Sequence, residues 1–464
     1  MNLCRYHFRF NKFLIAIVAL TIASWTSTAA AQADGDGDDD PNPIAGIDVD
    51  AKGVLKIRQL DPRLNQQRRA AARAINADVM RPSELRKVSL NRLEAAIKKR
   101  RESGQPLSDE MKALAGLTAV QYVFFYPETN DIVIAGSAEG FFADQTERLV
   151  GIQTGRPVVL LEDMVTALRA YAPGEKGVSV ISVSIDPTQE GLNQMNQFLA
   201  SVRGRVRPSD AQRLASGLKQ NLGLQTVTFR GVPSSTHFAR VLVEADYRMK
   251  LVGIGLERLP VPVKSYVQRA NPLTVAANAM ERWYFQPMYD GIAVSEDGMA
   301  MEIKERGVQL VGENERVAGG KRTATKRVNK ASQAFCKEFT DKFGLISQRV
   351  RIYAELRQLI DVAIAAAYIQ EQDFCGQAGW AMDVLMDESQ VAVETYTVPE
   401  QVETAVNAIW RGNTLMTPLG GGVHIQPRLA LSKDTLVVDT AGDSNKAKEL
   451  AGPSDLADGQ WWWD

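Results

Sequence analysis

Short runs of β-branched and aromatic residues alternate with helical patterns through the middle of the chain. Residues 120–126 (VQYVFFY) and 131–135 (DIVIA) are two such runs, separated by Pro-Glu-Thr-Asn, and they predict a β-hairpin. Residues 238–256 instead repeat apolar side chains every three or four positions, which predicts a helix. A chain that contains both periods is expected to pack helices against sheets.

Beyond residue 282 the strand pattern dominates. Short apolar runs at 283–286, 292–295, 299–304 and 308–313 predict an antiparallel meander. The chain is 45% hydrophobic and 23% charged, which excludes wholesale disorder, a collagen-like chain and a polytopic membrane protein. We therefore predict an α+β fold with a mixed or antiparallel sheet core and packed helices, followed by a helical unit and a short β-containing C-terminal region.

Composition and charge divide the chain into eight predicted regions. They are a signal peptide (1–33), an acidic disordered leader (34–46), a basic and mostly helical N-terminal region (47–101), an α+β core domain (102–315), a basic linker (316–330), a helical unit (331–385), a β-containing region (386–438) and a flexible tail that ends in a tryptophan motif (439–464). A short strand pair is also predicted around 47–57.

The leader has the pattern of a secretory signal peptide. Arg5, Arg9 and Lys12 precede an apolar run at 13–23, and Ala-Gln-Ala at 31–33 forms a small-residue cleavage site. An uncleaved membrane anchor is the alternative, but the run is shorter than the ~18–20 residues that span a bilayer. We expect export to the periplasm or cell surface, and no transmembrane segment in the mature chain.

Residues 58–101 are strongly basic, with thirteen Lys and Arg against four Asp and Glu. Such a stretch is typical either of a solvated helical face or of a surface for an anionic partner. It lacks interleaved aromatic residues, so it does not predict a nucleic-acid interface. Its last four basic residues are candidate partner contacts: Lys98, Lys99, Arg100 and Arg101.

The consecutive residues Trp461, Trp462 and Trp463 are a second candidate for partner binding. Three exposed indoles would favour aggregation, so we expect them to be docked. The alternatives are the protein's own surface, a groove on a partner, a cell-wall glycan and an export receptor.

Two cysteines, Cys336 and Cys375, remain if the leader is removed. A disulfide between them is possible in an exported protein. Two buried thiols are the alternative, because a plain helical hairpin turning near Gly344 would place the two positions far apart.

Catalytic signals are sparse. His237 has Ser234, Ser235 and Asp246 nearby in sequence, but no G-x-S-x-G elbow presents a serine nucleophile. His424 follows three glycines that lack the Lys and Ser/Thr of a phosphate loop. Because the two histidines do not have metal-site spacing, we predict no metal and no cofactor.

Two-carboxylate hydrolysis needs only a pair of acids that meet in the fold. Glu139, Glu281 and Asp290 lie beside aromatic residues, as acids in sugar-processing sites often do, although ordinary strand ends have the same neighbours. A carboxylate-dependent hydrolase therefore stays open as an alternative.

Several motifs together carry a resemblance that covers roughly residues 45–426. They are FYPE at 125–128, DIVIAGSAEG at 131–140, GRPV at 155–158, LR at 168–169, SIDPT at 184–188, EADYRMK at 244–250, RWYFQP at 282–287, AELRQLID at 354–361 and GGGV at 420–423. With them the chain resembles a family of exported planctomycete proteins defined by a domain of unknown function. The resemblance implies export and a shared fold, but no activity, ligand or catalytic residue.

From these observations we expect an exported, non-enzymatic binding or scaffold protein whose ligand is unknown. Its partner would be an anionic cell-envelope polymer or an envelope protein, contacted by the basic stretch and the three tryptophans. The alternative is a carboxylate-dependent hydrolase acting on cell-wall or matrix glycans.

Overall fold

The computed structural model describes residues 44–59, 79–144, 147–202, 208–270, 279–288, 291–304, 307–318, 321–324, 329–407, 409–411, 414–416 and 422–464. The predicted signal peptide and the acidic run at 34–40 lie outside these ranges. Among the helices described, none has the length and apolar character needed to cross a membrane.

The helices are α1 (Leu90–Glu102), α2 (Asp109–Lys112), α3 (Leu161–Ala170), α4 (Gln189–Val202), α5 (Ala211–Leu222), α6 (His237–Gly253), α7 (Tyr266–Arg269), α8 (Lys330–Asp341), α9 (Phe343–Arg349), α10 (Arg351–Glu371), α11 (Phe374–Ala378), α12 (Pro427–Ala430) and α13 (Asp443–Glu449).

The strands are β1 (Ile44–Val49), β2 (Val54–Gln59), β3 (Ser83–Ser89), β4 (Tyr122–Tyr126), β5 (Asp131–Ala138), β6 (Phe141–Ala143), β7 (Leu149–Gly151), β8 (Ile181–Pro187), β9 (Leu224–Arg230), β10 (Ala279–Pro287), β11 (Ile292–Val294), β12 (Ala300–Ile303), β13 (Val308–Ala318), β14 (Lys321–Ala324), β15 (Gln401–Glu403), β16 (Ile409–Arg411), β17 (Thr414–Met416), β18 (Gly422–Ile425), β19 (Val437–Val438) and β20 (Trp462–Trp463).

Two large sheets contain most of these strands. One has the order β1-β2-β15-β9-β8-β18-β10-β13-β14, and the other has the order β19-β11-β12-β4-β5-β3-β20. Most neighbouring strands are antiparallel, but β2 with β15, β10 with β18 and β11 with β19 are parallel. The predicted α+β class with a mixed sheet core is confirmed.

The predicted hairpin forms as β4 and β5, which pair antiparallel from Tyr126 opposite Asp131. The predicted strand pair near 47–57 also forms, as β1 and β2. The meander is more complex than the sequence predicted. Strands β11 and β12 join the sheet of β4, whereas β10 and β13 pair with each other in the other sheet.

The long helix α10 lies in the centre of the core. Almost all of its residues from Ile352 to Ile369 are buried, and it packs against α3, α6, α9 and α12. A helix that is apolar on nearly every side is stable only when protein surrounds it. The region predicted as a helical unit thus shares one hydrophobic core with the sheets, rather than standing apart from them.

Two other regions differ from the sequence prediction. The described part of the basic linker is not irregular: β13 continues to Ala318 and pairs with β14 at the edge of the larger sheet. Lys321 and Arg322 lie on β14, and basic side chains on an edge strand discourage pairing with other chains. The described part of the basic N-terminal region contains β1, β2 and β3 as well as the helix α1.

Candidate functional site

The three tryptophans and Asp464, which we call the tryptophan segment (residues 461–464), lie along the edge of the seven-stranded sheet, where Trp462 and Trp463 form its last strand, β20. Trp462 lies opposite Val88 and Trp463 opposite Lys87 on β3, and the Ser89 amide donates to the Trp461 carbonyl at 2.9 Å. This differs from the flexible tail that composition predicted. Burial of the indoles accounts for the difference, because docking one indole removes roughly 150–250 Å² of its surface from water.

Two of the indoles are buried on different groups of core residues. Trp461 joins the main core, whereas Trp463 packs with Phe124 and Tyr126 on the opposite sheet face. The Nε1 of Trp463 donates to the Ala451 carbonyl at 2.9 Å. Both rings are therefore structural anchors, and each is only 6% exposed.

Arg86 connects the tryptophan segment to the sheet. Its side chain is fully buried, and its Nε and Nη2 donate to Asp464 Oδ1 and Oδ2 at 2.7 and 3.0 Å. The same guanidinium donates to the carbonyls of Ala115 and Arg81 at 2.7 and 2.9 Å. A bidentate pair with further acceptors satisfies a buried guanidinium, which would otherwise be very unfavourable in the core.

Lys87, the next residue, points to the other face of the sheet and is also fully buried. Its Nζ donates to the carbonyls of Lys448, Leu450 and Ala451 at 2.9, 2.5 and 3.0 Å. Burial lowers the pKa of Lys87 to about 8. Lys87 therefore holds the chain before the tryptophan segment against the sheet, and it is not available to a partner.

Trp462 differs from its neighbours because it is only half-buried and borders open space. Its indole lies over the Arg86 guanidinium, 4.5 Å from the ring centroid, and its Nε1 donates to Glu110 Oε1. A cleft of about 460 Å³ adjoins it. The residues that line the cleft are Arg81, Glu110, Gly459, Gln460, Trp461, Trp462 and Asp464.

The predicted basic contact residues lie elsewhere. They form the last turn of α1, where cations complement the helix dipole. Lys98 and Lys99 are exposed, whereas Arg100 and Arg101 donate to the Pro106 and Ser389 carbonyls, each at 2.9 Å. The helix α1 starts beside the tryptophan segment, and Lys98 lies about 12 Å further along its axis at 1.5 Å per residue. The two predicted contact elements are thus separate.

His237 has a carboxylate partner that the sequence did not indicate. Its Nδ1 lies 2.9 Å from Asp163 Oδ2, at the start of α3. Burial alone would lower the pKa of His237, but the charge and hydrogen bond of Asp163 outweigh it and raise the pKa to about 9. The neighbouring Glu162 accepts from Tyr396 at 3.2 Å, and burial together with Asp163 raises the pKa of Glu162 to about 7. Asp246 instead pairs with Lys250 at 3.2 Å.

More charged side chains are paired inside the protein around α6 and α10, which supply Glu244, Arg248 and Glu355. Arg148 lies between two carboxylates, 2.7 Å from Glu244 and 3.2 Å from Glu355. Arg248 pairs with Glu257 at 2.7 Å. Breaking such a pair leaves an uncompensated charge in the core, so these groups are held in one arrangement. Their geometry is that of internal ion pairs rather than of an open catalytic site.

Of the three carboxylates considered for hydrolysis, Glu139 has a structural role. It accepts from the Gln153 amide at 2.7 Å and from the amide and hydroxyl of Thr154, and so it closes the loop after β7. Glu281 lies on β10, and Asp290 is outside the described residues. Within the part of the chain that the structure describes, no group of three or more His, Cys, Asp or Glu could hold a metal ion.

The two cysteines are buried as thiols rather than joined in a disulfide. Cys336 lies on α8 against Gly312 of β13, and Cys375 lies on α11, where burial and then Asp373 and Glu94 raise its thiol pKa to about 12. Because the two helices pack against different neighbours, the second alternative of the sequence prediction is the one observed.

The last glycine before His424 allows two strands to approach closely. A Cβ at Gly422 would lie 3.0 Å from the Val183 carbonyl oxygen of β8. His424 itself is half-buried on β18, where burial lowers its pKa. The glycine therefore has a packing role, as expected for a close backbone passage.

Sequence reasoning found the tryptophans but missed the residues that complete the cleft. Arg81 and Arg86 were counted only as part of a basic stretch, and Glu110 and Asp464 carried no motif. The available signal is that Asp464 directly follows three tryptophans that are expected to be docked, where a carboxylate taken out of water needs a partner. Its partner could not have been named, because Arg86 precedes it by 378 positions.

Comparison with known proteins identifies one region. Residues 183–266 match the family model "Protein of unknown function (DUF1598)", and this range includes His237 and Glu244 but none of the residues that line the cleft. No curated protein and no solved structure matches the chain. The chain thus contains, at residues 183–266, a domain of unknown function, as the resemblance implied.

Proposed function

We propose that this chain is an exported, non-enzymatic protein of the periplasm or cell surface, and that it binds a component of the cell envelope. The observation that carries the proposal is the cleft beside Trp462, which combines an indole with charged and amide side chains. Small-molecule sites commonly combine apolar and aromatic surface with a few well-placed polar groups. The resemblance to exported planctomycete proteins supports the same location.

The internal charges favour binding over catalysis. The His237–Asp163 pair and the two carboxylates of Arg148 lie in the core, and each has its partner there. A catalytic acid or base must instead reach a substrate atom within hydrogen-bond distance. The exposed residues Lys98 and Lys99 offer a separate contact for an anionic envelope polymer.

Export is tested on the full chain. Expression in a bacterial host, cell fractionation and N-terminal sequencing of the product should give an exported protein that begins at Asp34. A chain that stays in the cytoplasm with its leader intact would contradict the proposed location.

Envelope binding is tested by co-sedimentation of the mature chain with isolated insoluble cell wall. We expect saturable binding that falls in Trp462→Ala and persists in Leu345→Ala. Leu345 is a suitable control because it is 53% exposed and lies on α9, outside the cleft. Equal binding by the wild type and Trp462→Ala would remove the cleft from the proposal.

A carboxylate-dependent hydrolase acting on wall or matrix glycans is the alternative function. The same co-sedimentation samples can be assayed for newly released reducing ends. Release that depends on the protein would favour the hydrolase, whereas binding without release supports a binding protein.

A further inference from the structure

We infer that the cleft beside Trp462 is a subsite for a neutral saccharide, in which the open face of the indole stacks against one pyranose ring. The inference rests on the proposed binding function and specifies its ligand class. It is carried by the orientation of Trp462, the charge balance of the cleft and the chemistry of its polar groups.

Trp462 is held in a fixed orientation before any ligand arrives. Strand pairing with Val88 fixes its backbone, and Glu110 accepts from its Nε1. Arg86, which is fully buried, covers one face of the ring at 4.5 Å. The half-buried indole packs in part against the main core and also lines the cleft, so we place the ligand on the ring surface that Arg86 leaves uncovered. A ring fixed in this way binds with little loss of side-chain entropy.

The charge balance of the cleft disfavours strongly charged ligands. Arg86 and Asp464 neutralise each other, and the remaining charged side chains, Arg81 and Glu110, have opposite signs. A second cation on the open face is disfavoured, because the guanidinium of Arg86 already occupies the opposite face of the same π-system. A polyanion is disfavoured by the carboxylates of Glu110 and Asp464 in the lining.

A pyranose ring fits the remaining properties. One of its faces presents C–H groups that can lie flat on an indole, and its rim carries hydroxyls that both donate and accept hydrogen bonds. Arg81 supplies donors, and the Gln460 amide, which donates to the Trp462 carbonyl at 3.1 Å, is part of the same rim. The volume of about 460 Å³ lies within the range of roughly 300–1,000 Å³ found for small-molecule sites.

The test uses the mature chain and a panel of neutral hexasaccharides, namely maltohexaose, cellohexaose and chitohexaose, with hexagalacturonate as the anionic counterpart. Titration calorimetry and tryptophan fluorescence should show saturable binding of at least one neutral sugar, weaker binding of hexagalacturonate and a change in indole emission. We expect Trp462→Ala to weaken binding at least about tenfold, which corresponds to about 1.4 kcal/mol.

Arg81→Ala keeps the test decisive if Trp462→Ala does not fold. The Arg81 side chain is exposed, and only its backbone carbonyl holds Arg86, so the variant should fold normally and bind the sugar several-fold more weakly. The inference would be overturned if the wild type bound none of the neutral sugars or preferred hexagalacturonate. It would also be overturned if Arg81→Ala and any folded Trp462→Ala bound the sugar with wild-type affinity.

The outcomes separate this inference from the proposed function. If the wild type sediments with cell wall in a Trp462-dependent way but binds no neutral sugar, the envelope-binding function stands and the ligand class is wrong. If it binds a neutral sugar but not cell wall, the subsite stands and the proposed function fails.

Discussion

The guanidinium of Arg86 and the carboxylate of Asp464 form a bidentate ion pair, with N–O distances of 2.7 and 3.0 Å. Arg86 is fully buried on β3, whereas the Asp464 side chain retains 41% exposure. The pair therefore connects a strand near the beginning of the described chain to the last residue of the tryptophan segment. It also sets the position of Trp462, which lies over the same guanidinium.

Asp464→Asn is expected to destabilise the protein, because the buried Arg86 loses its counter-charge. Removing a hydrogen bond to a charged group costs about 1–3 kcal/mol, and the partial exposure of Asp464 favours the lower end of this range. Urea unfolding of the variant measures the loss of free energy. Asp434→Asn is the matched control, since this exposed turn residue should change stability by less than about 0.5 kcal/mol. Equal stability of the two variants would show that the ion pair contributes little.

Trp463→Ala should be much more damaging than Trp462→Ala. Trp463 is 6% exposed and packs with Phe124 and Tyr126, so its removal leaves a cavity and should cost about 3–5 kcal/mol. Trp462 is half-buried, so its replacement by alanine should lower the free energy of unfolding by less. Thermal unfolding of both variants gives the order. A larger loss of stability in Trp462→Ala would contradict the assignment of Trp463 as an anchor and of Trp462 as the indole that faces the ligand.

The His237–Asp163 pair should make stability fall as the pH rises. The folded-state pKa of His237 is about 9, above its ordinary value of 6.5, so the stabilisation is complete below pH 6.5 and is lost through pH 9. Urea midpoints at pH 6, 7.5 and 9 should show this decline, and His237→Gln should flatten it.

His424→Gln is the control for this titration. Burial lowers the pKa of His424, so its titration adds stability as the pH rises towards 6.5 and should leave the decline above that value unchanged. A decline of the same size in His237→Gln would assign it to other groups.

Asp361→Asn should stabilise the protein at alkaline pH. Asp361 is 3% exposed on α10, and its Oδ1 accepts no hydrogen bond from the described part of the chain, while Arg357 lies 3.9 Å from Oδ2. Burial raises its pKa to about 7, so the folded state loses stability as the pH rises from 3.8 through 7. The neutral amide avoids that loss, and the gain should reach about 2–4 kcal/mol above pH 7.

The gain should be much smaller at pH 4, where the folded-state carboxyl is already protonated. Denaturation at pH 4 and pH 8, with Asp434→Asn as the exposed control, measures the difference. Equal effects at both pH values would mean that Asp361 is solvated or paired in solution.

Cys336 and Cys375 should both resist alkylation in the folded protein and react after unfolding. Each is buried, and the high thiol pKa of Cys375 suppresses the reactive thiolate further. Iodoacetamide labelling with and without urea, in the absence of reductant, followed by peptide mass spectrometry, counts the modified residues. Failure of either cysteine to react in urea would indicate that a disulfide forms after all.

Local pattern was sufficient for many of the elements but not for their arrangement. The hairpin β4–β5 and the helix α6 were predicted because their periods involve residues a few positions apart. The partners of β10 and β11 were not, since the strands of one predicted meander are divided between two sheets. Similarly, the tryptophans of the candidate site were evident in the sequence. The pairing of Arg86 with Asp464 and that of Asp163 with His237 were not recognised.

By itself, the amino-acid sequence determined the α+β class, the positions of several strands and helices, and the need for the indoles to be docked. All of these depend on side-chain period and hydrophobicity, which are properties of short segments. Only the tertiary structure decided that the indoles dock on β3, that Asp464 pairs with Arg86 and that His237 faces Asp163. Contacts between residues so far apart arise from the packing of whole sheets and helices, and no local pattern encodes the partner.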